Sequence, residues 1–165
     1  MDSTISIIDF GTLSDEEKID IFQKNQELLI KYRPESEFVI RNIKNIKNKV
    51  IQYYINTIKN YKGKVVRHPE FLIFFHIMQI NDFEDLSEFA AKRKISDFSE
   101  NGNCLFVEYI AGKINLGNLV GLEDYFKNKN IKKISYFKHE NVRSVEFSKY
   151  KSEILKVSSL KSSAF

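Results

Sequence analysis

The sequence predicts an α+β fold, a mixed and mostly antiparallel sheet flanked by helices. Three observations carry this. The apolar period is helical over the first 62 or so residues and shortens to two from Lys64 onward. The strand candidates include two hairpin-like pairs, Lys64 to Gln79 and Lys132 to Lys149. Between them Cys104 to Ala111 runs through a Gly/Asn turn into a helix and then a further strand, a crossover that pairs its two strands in parallel.

Taken in order, Thr4 to Phe10 alternate loosely, as a short edge strand or an ordered arm would. Ser14, with Glu17 three residues on, forms a capping box: the hydroxyl accepts from an early helix amide while the carboxylate reaches back. The helix behind it puts Ile19, Phe22 and Leu29 on one side and stops before Pro34. Ser36 caps a second, long helix with Ile43, Ile46, Val50, Tyr54 and Ile58 at helical spacing, ending near Gly63. Its opposite, Lys-rich face reads as solvated, with anionic docking the other reading. Lys64 to Arg67 and Glu70 to Gln79 then read as an antiparallel pair around His68 and Pro69, and Asp82 to Lys94 as a helix with Phe83, Leu86, Phe89 and Ala90 inward. Ser99 to Gly102 turns into the Cys104 strand. A helix from Gly117 to Asn128 follows, then strands Lys132 to Lys138 and Val142 to Lys149 around His139 to Asn141. After Tyr150 the Ser/Lys-rich tail is a weak helix or disordered.

Length and composition bound the answer. A chain of 165 residues, 42% hydrophobic and 29% charged, makes one domain with a real core. That domain is residues 1–150, with N-terminal helices over 14–62, the sheet and its helices over 63–150, and a tail over 151–165. The net charge of +4 comes from Lys interleaved with Ile, Asn and Tyr, so it favours anionic partners only in a general way and nucleic acid is not expected. Cys104 is the only cysteine, which removes an intrachain disulfide and any cysteine-based zinc site, and no metal site is expected. Asp2 and the lack of a basic n-region argue against a secretory signal. The longest apolar run, Phe71 to Met78, is too short to span a bilayer. The cytoplasm is the expected location, or a virion if the source is a phage.

The strand Cys104 to Ala111 holds one acid, Glu108, at its centre. There it can act as a general base or orient a histidine, or, on the plainer reading, meet solvent or a lysine. By strict alternation Leu105, Val107 and Tyr109 share one face, and Phe106, Glu108 and Ile110 the other. His76 shares a face with Leu72, Phe74 and Met78. If its strand neighbours the Cys104 strand, His76 and Glu108 meet as a base and its orienter; otherwise His76 is a half-buried donor to a carbonyl. Gly112, Asn115, Gly117 and Asn118 can present amides to a pyrophosphate or phosphopantetheine at the start of the next helix, or they simply build a turn with Asn115 or Asn118 as the cap. His68, in a turn before Pro69, reads as structural and His139 as solvated.

The run Leu105 to Gly112, its Gly/Asn loop, the helix and the final strand pair resemble the C-terminal half of the GNAT acyltransferase superfamily. The nearer likeness is to the toxin-activating lysine acyltransferases, which carry an aromatic-Ile-Asp-Trp-Ile-Ala-Pro-Phe-Gly segment there. It spans about residues 36–149 and is specific over 105–121. The resemblance implies a GNAT-like fold, an acyl-CoA or acyl-carrier-protein thioester as donor, and an acyl-carrier protein or protein substrate as partner. It places Glu108 where the family has its catalytic Asp. The family's N-terminal catalytic His has no counterpart, because the first histidine here is His68. Gly112, Lys113 and Ile114 replace Pro-Phe-Gly, and the Gln/Arg-x-x-Gly-x-Gly/Ala loop of the wider superfamily is not met. Two functions follow: acyl transfer from a thioester to an amine, or a GNAT-like structural or interaction protein of a phage or mobile element that has lost catalysis.

Overall fold

The computed structural model describes residues 5–45, 47–80, 99–138 and 141–157. The helix expected at Asp82 to Lys94, together with Ile46, His139 and the end of the tail, lies outside the described residues.

β1 (Ser6–Asp9) ends in a 3-10 turn at Phe10–Thr12, where the Asp9 carboxylate accepts from the Gly11 amide at 3.1 Å. α1 (Asp15–Lys24) begins with the expected capping box, Ser14 Oγ accepting from the Glu17 amide at 3.2 Å and Glu17 from the Ser14 amide at 3.1 Å. The single helix predicted up to Pro34 is instead two, α1 and α2 (Gln26–Tyr32). Asn25 divides them: its side-chain amide donates to the Ile21 carbonyl at 2.7 Å, competing with the helical ladder.

The same chemistry breaks the long helix expected from Ser36 to Gly63. After a 3-10 turn at Pro34–Ser36, α3 is only Glu37–Arg41, and α4 starts afresh at Lys49–Asn60. Asn42 donates from its side chain to the Phe38 carbonyl at 2.8 Å, and Asn48 Oδ1 caps the amides of Val50 and Ile51. Restarting the helix resets its phase. Ile51, Ile55 and Ile58 face the core, while Val50, expected inside, is 56% exposed.

β2 (Lys64–His68) and β3 (Phe71–Met78) form the expected antiparallel hairpin. His68 stabilises its turn, accepting from the Glu70 amide at 3.0 Å and stacking on Phe71. β4 (Cys104–Gly112) pairs antiparallel with β3 and parallel with β5 (Lys133–Lys138), across the crossover helix α5 (Leu116–Lys127). β6 (Asn141–Glu146) returns antiparallel to β5. The described residues thus give an open six-stranded sheet in the order β1-β2-β3-β4-β5-β6, mixed and mostly antiparallel, with six α-helices.

Helices cover both faces. α1 to α4 pack Phe22, Leu29, Ile40, Ile51, Ile55 and Ile58 on Val65, Leu72, Phe74, Tyr109 and Ala111. On the other face α5 and the last helix, α6 (Tyr150–Val157), cover Val66, Phe75, Leu105, Val107, Ile110 and Ile134. α6 takes the first part of what the sequence suggested as a tail. Its Tyr150, Ile154 and Val157 are buried, and burying each side chain of that size contributes roughly 1.5–3 kcal/mol. The packed unit therefore runs on through Val157.

Candidate functional site

The centre of β4 departs from simple alternation. Phe74 lies opposite Tyr109 but Phe75 lies opposite Val107, so Glu108 is an extra residue in a β-bulge. Val107 and Ile110 pack under α5 and α6, whereas Tyr109 and Ala111 pack under α1 to α4. This corrects the strict alternation expected from the sequence. Tyr109 is not on the face of Leu105 and Val107, and Ile110 is not on that of Glu108. The bulge turns Glu108 and Tyr109 in succession away from the face of Val107 and Ile110, and Glu108 toward His76.

There Glu108 Oε1 comes 3.4 Å from His76 Nε2, with His76 6% and Glu108 5% exposed. β3 and β4 thus bring together the two residues the sequence singled out. The Tyr61 ring packs on the imidazole at 4.9 Å, and its hydroxyl lies 3.0 Å from the carbonyls of Lys64 and Phe75. Gly63 makes room for this arrangement: a Cβ there would stand 2.7 Å from His76 Nδ1 and 2.5 Å from both the Tyr61 hydroxyl and the Phe75 carbonyl.

Beside His76, where β2 begins, lies a polar cavity of about 150 Å³ lined by Asp9, Lys62, Gly63, Lys64, Ser99 and Glu100. Lys64 Nζ sits between two carboxylates, 2.7 Å from Glu100 and 3.5 Å from Asp9. Burial works against its charge, but Glu100 and the other negative groups around it outweigh that and raise its pKa. None of these lining residues stood out in the sequence, because they come from segments about ninety residues apart.

β4 and β5 pair only as far as the bulge. Their parallel ladder comprises Cys104↔Lys133 to Val107↔Tyr136 and ends there, although β4 continues to Gly112. The loop that follows does less than its composition suggested. Gly112, at φ +111°, is there for close approach, since a Cβ would fall 2.1 Å from the Glu70 carbonyl. The Lys113 amide donates to that carbonyl at 3.2 Å. Asn115 caps α5 by accepting from the Asn118 amide at 2.9 Å, and Asn118 returns the contact to the Asn115 amide at 3.4 Å. At Gly117 a side chain would meet the Asn115 side chain, at 3.2 Å. The cap thus accounts for Asn115 and Asn118, and the amides of Lys113, Asn115 and Asn118 are committed within the protein.

Cys104 is not built as a nucleophile. Burial pushes its thiol up to about 11, only partly offset by the Ser135 hydroxyl 3.4 Å away. Among the described residues, no group of three or more His, Cys, Asp or Glu side chains could hold a metal ion, and no helix is long and apolar enough to cross a membrane. No protein-family model, curated protein or solved structure matches the chain.

Proposed function

We propose that the chain is a GNAT-like acyltransferase that moves an acyl group from a phosphopantetheine thioester to an amine, using His76 and Glu108 to handle the proton. The observation that carries this is a coincidence at one point of β4: the bulge, the end of the β4–β5 ladder and the His76–Glu108 contact fall together. In this reading the donor's extended arm sits where the β4–β5 ladder ends, with backbone groups of the bulge turned to the thioester carbonyl. The amine attacks the carbonyl carbon, forming C–N as C–S breaks. Its proton passes to His76 and on to the departing sulfur, so protons balance, while Glu108 stabilises the imidazolium between the two transfers. Asp9 and Glu100 at the neighbouring cavity suit a cationic acceptor such as a lysine, as the position of Lys64 between them illustrates.

The loop favours a carrier-borne donor over acyl-CoA. With the Lys113 and Asn118 amides already donating inside the protein, a pyrophosphate gains little there. A binding domain without catalysis is the second reading, favoured by the burial of both His76 and Glu108.

Calorimetry with an acylated acyl-carrier protein and with acetyl-CoA, followed by mass spectrometry of a lysine peptide, tests the proposal. The expected result is heat with the carrier and a peptide heavier by one acyl group. In Glu108→Gln the rate should fall by about 10²–10⁴-fold with donor binding kept. No heat from either donor refutes the catalytic reading and leaves the binding domain.

A further inference from the structure

We infer that the cleft enclosed by α2, α3, α4 and Tyr109 binds a small monocarboxylate through Arg33, at a site separate from the His76–Glu108 pair and independent of the acyl-transfer reading. The argument begins with Pro34. Its ring disfavours helical backbone at the preceding residue, and Arg33 takes φ −141°, ψ 71°, ending α2 at Tyr32. Ser36 holds this corner, its amide and hydroxyl both donating to the Arg33 carbonyl, at 3.0 and 2.7 Å. The Arg33 side chain turns inward and the residue is 9% exposed.

A guanidinium so placed needs an anion, and the protein supplies little. The Glu35 carboxylate is 3.8 Å away on a side chain that is 57% exposed. The Tyr109 ring lies under the guanidinium at 4.9 Å, a cation–π contact that gives the in-plane N–H groups no acceptor. Nη2 is buried and has no hydrogen-bond partner among the described residues. A buried cationic N–H without an acceptor is costly, and a planar carboxylate is the group whose two oxygens match the guanidinium fork.

The cavity at Arg33 fixes the size and character of the ligand. Its volume is about 50 Å³, and Phe22, Leu29, Val39, Ile40 and Ile58 line it together with Glu35, Ser36, Tyr54 and Tyr109. One water needs roughly 10–15 Å³ on the same scale, so the space suits a ligand of about four or five heavy atoms. Acetate and propionate fit that description. Among the described residues Arg33 is the one cation in this lining and Glu35 adds a negative charge, so phosphate is disfavoured because its second charge would have no partner, and the volume is too small for a peptide terminus.

Calorimetry on the whole chain with sodium acetate, propionate and hexanoate, against sodium chloride and propionamide at matched ionic strength, tests this. Saturable propionate binding in the millimolar range is expected, about fourfold tighter than acetate for the added methylene, with no saturable response to hexanoate, propionamide or chloride. Arg33→Met should abolish binding. Val39→Phe, which fills the cavity and keeps the arginine, should do the same while unfolding stays cooperative, so a folding failure of the first variant does not shield the proposal. Undiminished propionate binding in either folded variant, or no saturable binding of either small acid to the wild type, overturns it. An equal response to chloride overturns the carboxylate assignment.

Discussion

Replacing Glu153 by glutamine removes one buried negative charge from the contact between α6 and the sheet. The residue is 1% exposed and accepts from four donors: Tyr136 Oη at 2.6 Å, Arg143 Nε at 3.0 Å and Nη2 at 3.3 Å, and Lys156 Nζ at 3.2 Å. Burial by itself would push this carboxyl up, but the bonds from Arg143, Tyr136 and Lys156 more than reverse it and hold it at about 2, against an ordinary 4.5. A difference of that size corresponds to about 3 kcal/mol of stability at neutral pH. The glutamine side chain keeps an acceptor oxygen, and Arg143 and Lys156 can turn to solvent, so we expect Glu153→Gln to lose about 2–3 kcal/mol. For a chain of this length that lowers the midpoint of thermal unfolding by roughly 5–10 °C. The pH dependence has a definite sign. The native pKa lies below the unfolded one, so the contribution is complete above about pH 5 and drains away as the pH falls toward 2. Urea unfolding followed by circular dichroism along an acid series should therefore show wild type and variant converging at low pH. A cost below about 0.5 kcal/mol at neutral pH, or a gap that stays constant into acid, refutes the reasoning.

Gly112→Ala should destabilise by about 3 kcal/mol or more in urea unfolding, because φ is +111° and the new methyl would meet the Glu70 carbonyl and Phe71. A cost under about 1 kcal/mol would show that the β4 terminus relaxes freely. Cys104, fully buried and pushed up to about 11, should react with a disulfide reagent only as fast as the protein opens, and promptly in urea. Fast labelling of the native protein would refute the packing around Ser135.

The sheet was legible in the sequence because its signals are local. The capping box at Ser14, the hairpin around Pro69 and the crossover after Ala111 each depend on residues close in the chain, and each appears where expected. The helical half was harder. Periodicity saw continuous helices through Asn25 and from Ser36 to Gly63, but it ignores side chains that compete for backbone hydrogen bonds, and Asn25, Asn42 and Asn48 do this. At the candidate site, the meeting of His76 and Glu108 followed from strand adjacency. The bulge did not, because nothing in the run Val107 to Tyr109 marks an extra residue. Arg33 had a visible cue in Pro34, yet that residue fixes only where the helix ends and not which way the arginine points.

The uninterrupted strand order has a kinetic consequence. Each strand lies beside the strand next to it in the chain, so the β2–β3 and β5–β6 pairs close over very short loops and can form early. β1 has the longest closure of all, since it reaches β2 only after the whole segment from Phe10 to Gly63 has closed behind it. A four-residue edge strand reached over so long a loop is the last to zip and the first to open. It carries Asp9 into the cavity beside His76, so the completion of that cavity belongs to the final step of folding.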